Sequence, residues 1–118
     1  MIDVTEILTI GNEKNIQNLQ GKKVNNIIFY NDKEFENYLI INDNKVTLKR
    51  KSKEIVSIYE FILDKLTDVT YIVNGHNISG IRIKTTKIVK NDSEILICYE
   101  ITLENIKKCE LKISYKQK

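Results

Sequence analysis

The sequence predicts an α+β domain: a curved antiparallel sheet of about seven strands wrapped around one central amphipathic helix, in the order β-β-β-α-β-β-β-β. Three observations predict it. Residues 52–68, S-K-E-I-V-S-I-Y-E-F-I-L-D-K-L-T-D, place apolar side chains at helical spacing. Residues 81–115 alternate apolar and polar side chains. Residues 24–51 hold short β-rich runs separated by Asn- and Asp-rich turns.

The helix is the organising element. At about 100° per residue, Ile55, Val56, Ile58, Tyr59, Ile62, Leu63 and Leu66 share an arc of roughly 160°. Glu54, Ser57, Glu60, Asp64, Lys65 and Asp68 lie opposite. Ser52 is placed to cap the first turn, and Glu54 suits the positive end of the helix dipole. An arc this wide covers a sheet rather than a coiled-coil seam. Phe61 projects from the polar arc, and aromatic residues in such places are enriched at partner interfaces.

Before the helix, residues 1–21 support two readings. Asp3 and Glu6 fit a capping box with a short helix to Gly11, and Asn15–Gly21 fits a further turn or two of helix stopped by Gly21; a strand over 2–9 is the alternative. Val24–Tyr30, Tyr38–Ile41 and Val46–Lys49 read as three strands, with turns at Asn31–Lys33 and Asn42–Asn44. After the helix, Val69–Val73 is a strand and Asn74–Asn77 a turn. In the final meander Ile83, Thr85, Lys87, Ile95, Ile97, Tyr99, Cys109, Leu111, Ile113 and Tyr115 all fall on the core-facing parity. Loops at Asn91–Ser93 and Asn105–Lys107 put Lys84, Glu100 and Lys112 in one cross-strand ladder on the wet face. The same register sends Cys98 and Cys109 to opposite faces, which forbids a disulfide between them.

A chain of 118 residues suits one domain spanning residues 1–118, large enough to bury a core. It has 17 Lys, 21 Ile and 13 Asn but no Pro, Trp or Ala. That bias follows AT-rich codons and points to a bacterial or phage origin. A net charge of +3 is too small to imply nucleic acid by itself. The first ten residues lack a basic segment and an apolar run, so they do not read as a signal peptide. No stretch approaches the ~18 apolar residues of a membrane span. A cytoplasmic protein with free thiols is expected.

Catalytic equipment is sparse. The single histidine, His76, sits in a turn. Neither a nucleophile–His–acid set nor a zinc site can be assembled around it. Glu110-x-Lys112 has the spacing of a carboxylate–lysine nuclease arm, but acid-x-lysine occurs here at the frequency that composition alone gives. Gly75–Gly80 lacks the ending of a phosphate loop. No enzyme, cofactor or metal is expected.

The leading expectation is therefore a small binding protein, of inhibitor, immunity or adaptor type, that occludes a protein partner. Phe61, Glu60 and Asp64 would supply one contact patch, and the basic run Lys49, Arg50 and Lys51 another. Nucleic-acid binding through that basic run is one alternative. The other is an anionic small ligand or nucleotide in a pocket formed by Thr85, Lys87, Tyr99 and Tyr115, where a lysine among tyrosines breaks the core pattern.

Overall fold

The computed structural model describes residues 1–117. It consists of the strands β1 (Ile2–Ile10), β2 (Glu13–Val24), β3 (Ile27–Asn31), β4 (Glu36–Ile41), β5 (Val46–Lys51) and β6 (Ile55–Phe61), followed by β7 (Leu66–Asp68), β8 (Thr70–Val73), β9 (His76–Asn77), β10 (Arg82–Lys90), β11 (Glu94–Thr102) and β12 (Ile106–Gln117). All lie in one 12-stranded sheet with order β7-β10-β11-β12-β1-β2-β3-β4-β5-β6-β8-β9. The pairs are antiparallel, mostly between sequence neighbours. The exception that shapes the fold is β1, which lies between β2 and β12, so that Ile2 faces Gln117.

The sheet curls into a half-barrel. Its far strands meet along a seam where Leu63 bridges Thr85 and the Asp64 N–H donates to the Thr85 carbonyl at 2.8 Å. Just beyond, β7 pairs with β10. The concave side is dry. Ile28, Leu39, Phe61, Ile83, Ile97 and Ile113 are fully buried there. Curvature also needs close backbone approach. A Cβ on Gly21 would stand 2.5 Å from the Phe29 carbonyl and 2.9 Å from Val4 Cγ2, so that position admits only glycine.

No helix occurs among the described residues, which overturns the α+β expectation and its central helix at 52–68. That segment is the turn after β5, then β6 and β7. With so many isoleucines, apolar residues fall at helical and at alternating spacing together. The residue types decide: Ile55, Val56, Ile58, Tyr59, Phe61 and Ile62 are β-branched or aromatic and fit a pleated surface better than a helix. In β6 the inward row is Ile55, Ser57, Tyr59 and Phe61. Phe61, the misfit of the helical pattern, is completely buried, with its ring 5.0 Å from Tyr99. Ser52 does accept amides, from Ile55 at 3.0 Å and Glu54 at 3.4 Å, but within the β5–β6 turn. At the N-terminus the strand reading is the one realised, and residues 15–21 are part of β2 rather than a helix ended by Gly21.

In the C-terminal meander, β11, β12 and the first half of β10 keep their expected faces, while the register changes twice and the faces of β10 reverse beyond Thr86. Lys84 faces Glu100 as predicted. A β-bulge at Thr86 then sets Thr86 and Lys87 together against Cys98, so Lys87 pairs with Cys98 and turns outward. The second loop falls at 103–105, and Glu100 faces Lys108 rather than Lys112. Lys112 instead meets Glu94 at 3.2 Å. Because that slip shifts the pairing by an even number, Cys109, Leu111 and Ile113 stay inside. Cys98 and Cys109 are free thiols on opposite faces.

Candidate functional site

The site begins with residues that are wrong for their rows. Along β1 the inward side chains are Ile2, Val4, Glu6 and Leu8; Glu6 is a carboxylate only 2% exposed in an apolar row. Along β5 they are Val46, Leu48 and Arg50. Strand alternation thus splits the basic run, pointing Arg50 inward while Lys49 and Lys51 stay exposed on the convex face. In β3, Tyr30 follows Ile28 into the core.

These three misfits meet. The Tyr30 hydroxyl donates to Glu6 Oε2 at 2.6 Å. Arg50 Nη2 lies 3.2 Å from both Glu6 oxygens. The pair is deeply sheltered, with side-chain exposures of 16% for Arg50 and 3% for Glu6. Burial, then the Glu6 charge, pushes the Tyr30 hydroxyl well above its ordinary range, so it remains a donor. Burial works against the Arg50 charge, but Glu6 and Tyr30 more than offset it, and the guanidinium is held still more firmly protonated. Beside them Asn37 donates to the Tyr30 carbonyl at 3.2 Å, and its buried Oδ1 finds no partner among the described residues.

Arg50 also forms part of the wall of a hollow of about 240 Å³ inside the half-barrel. Its rings are Phe35, Tyr59, Phe61, Tyr71 and Tyr99; Leu8, Leu48, Ile55 and Leu111 supply aliphatic wall, and Ser57 the one hydroxyl besides the tyrosines. Tyr59 and Phe61 stack with their planes 6° apart. Among the described residues, both hydrogen bonds of Arg50 leave from Nη2; a guanidinium has five donors, so some remain for a ligand at the wall it forms. Such a chamber can hold an apolar or aromatic body and satisfy one acceptor on it.

The residues singled out from sequence scatter. Phe61 is core. Glu60 is on the convex face, 3.7 Å from Lys45. Asp64 is exposed at the seam with φ of 62°. Of the expected pocket, Tyr99 alone lines the hollow. Thr85 is fully buried, with no partner for its Oγ1 among the described residues, Lys87 is outside, and Tyr115 sits at the other end of β12, where its N–H meets the Ser93 carbonyl at 2.9 Å. His76 is exposed, and no cluster of metal-ligating side chains occurs among the described residues. Glu6 and Tyr30 were missed, and Arg50 was noticed only as part of a basic run. The signal for it was scarcity: the chain has 17 lysines and 2 arginines, and arginine is the cation suited to buried, forked contacts with carboxylates.

No family model matches the chain, and a search of curated proteins gave no match. Among solved structures, the fold resembles that of the ywiB protein from Bacillus subtilis, with a TM-score of 0.69 over 99% of this chain and 89% of that one. The two sequences are 11% identical, so the likeness concerns the fold alone. Among the described residues no helix is long and apolar enough to cross a membrane.

Proposed function

We propose that this protein is a non-enzymatic binder of a small, largely apolar molecule, held in the hollow of the half-barrel with an acceptor group against Arg50. The observation that carries this reading is the pairing of an aromatic chamber with one partly satisfied guanidinium. Ligand sites are mostly apolar, with a few placed polar groups that fix orientation. Here Glu6 and Tyr30 lock the arginine in place, so little side-chain entropy is lost on binding. The features that favoured a protein partner weaken on inspection: Phe61 is interior, and Glu54, Glu60, Asp64 and Asp68 do not share a helical face.

The test is a thermal-shift and calorimetric screen with naphthols, indoles and medium-chain alcohols and acids. Ligand at 100 times its Kd adds about 2.7 kcal/mol, or about 10 °C in Tm. Leu8→Trp, which puts an indole ring into the chamber, weakens or abolishes the shift while circular dichroism shows an intact sheet. A screen with no shift at millimolar ligand, or an undiminished shift in Leu8→Trp, refutes the reading.

A further inference from the structure

Beside the hollow the sheet is incomplete. Among the described residues β2 pairs with β3 over Gly21–Val24 only, while Glu13–Gln20 continue as regular strand bonded to β1 alone. The open edge of β2 faces the Asp32–Phe35 turn across a recess of about 540 Å³. Phe35 and Arg50 line both this recess and the hollow, so one ring and one guanidinium form the boundary between them.

The two chambers differ in chemistry. The hollow is apolar, whereas the recess is walled by Asn15, Gln17 and Asn18. Its formal charges balance, Lys33 and Arg50 against Asp32 and Glu34. Two of the four are also engaged elsewhere. Arg50 is bound to Glu6, and Asp32 accepts the backbone N–H groups of Glu34 at 2.9 Å and Phe35 at 2.7 Å. The amides of Asn15 and Gln17, by contrast, make no hydrogen bond within the described residues. A side-chain amide offers donors and an acceptor together, and an unpaired strand edge does the same with its backbone. That is the complement of a hydroxyl, which is donor and acceptor at once. A carboxylate or phosphate could use only half of it.

We propose that hollow and recess are one two-part site for an elongated molecule with an aromatic or other apolar body and an uncharged, multiply hydroxylated head, as in an aryl glycoside or a nucleoside. The body occupies the hollow, the head lies against Asn15 and Gln17, and the join passes Phe35 and Arg50. This rests on the hollow being a ligand site, and it adds the class of head group and where that head is held.

Calorimetry on the intact protein with 2-naphthyl β-D-glucoside, 2-naphthol and 2-naphthoate separates the two claims. The glucoside is expected to bind at least about tenfold more tightly than the naphthol. In an Asn15→Ala/Gln17→Ala variant the glucoside falls to the level of the naphthol, whose own affinity is unchanged; a general loss of structure would weaken both. Glucoside and naphthol binding equally well overturns the two-part site and leaves the hollow standing. Naphthoate binding best overturns the uncharged head. Binding of none of the three removes the hollow and the two-part site together.

Discussion

Replacing Arg50 with methionine tests whether the ion pair at the heart of the site is as buried as it looks. Glu6 has three short contacts, one to Tyr30 at 2.6 Å and two to Arg50 Nη2 at 3.2 Å. Arg50→Met removes the two from the cation and leaves a carboxylate that is 3% exposed with a single donor. Breaking one side of a buried pair destabilises by about 3–5 kcal/mol, because the surviving charge is stranded. The tyrosine bond remains, so the lower half of that range, about 3–4 kcal/mol, is expected. Replacing both ends with apolar groups strands nothing, and Glu6→Leu/Arg50→Met should lie within about 1–2 kcal/mol of the parent. Urea unfolding followed by far-ultraviolet circular dichroism reads both values, with the m-value serving as a check on two-state behaviour. A loss under about 1 kcal/mol in Arg50→Met, the level of an exposed pair, would refute this account. So would a double variant worse than the sum of the two single ones.

Three further outcomes follow from the packing. Tyr30 and Tyr99 are both held above the ordinary tyrosine value of 10.0, chiefly by burial. Their contribution to stability is complete below about pH 10 and falls as pH rises beyond it, by about 1.4 kcal/mol per pH unit for each; urea midpoints between pH 9 and 11.5 should show a slope that Tyr30→Phe reduces. Gly21→Ala should cost about 1–3 kcal/mol or more by overpacking, since its methyl group meets the Phe29 carbonyl at 2.5 Å, and an unchanged Tm would contradict the close approach. Deleting Thr86 removes the bulge while Thr85, Lys87 and Ile88 keep their sides; the loss should be near the ~1 kcal/mol of its hydrogen bond to the Cys98 carbonyl, and a collapse of the fold on deletion would show the bulge to be needed for closure.

Alternation was legible wherever one face is wet and the other dry. The rows Ile95–Tyr99 and Cys109–Ile113 could be read directly, as could the turn at Asn42–Asn44; of the turn expected over Asn74–Asn77 only Asn74 and Gly75 turn, and His76–Asn77 already pair as β9. The segment at 52–68 was not, because periodicity is ambiguous in a chain so rich in isoleucine, and the β-branched and aromatic composition should have outweighed it. The four-residue pocket failed through two register changes: the residue inserted at Thr86 turns Lys87 outward, and the displaced second loop carries Tyr115 away from Tyr99. Nothing local announces the bulge at Thr86, yet it decides on which side Lys87 emerges. The Glu6–Tyr30–Arg50 cluster is a product of tertiary structure: its members lie 24 and 44 positions from Glu6 and meet only once the sheet has curled.

The union of the first strand with the last has a kinetic corollary. Ile2 finds Gln117 only by closing a loop that contains every strand from β2 to β11, and such distant partners are slow to nucleate. During synthesis β1 can zip onto β2 at once, but its other flank stays bare until the ribosome has released β12. For that interval Glu6 and its neighbours sit on an uncovered hairpin, open to wrong partners. Refolding should accordingly end with a late, concerted arrival of the C-terminal meander, and amide protection across the β1–β12 seam should be the last to appear.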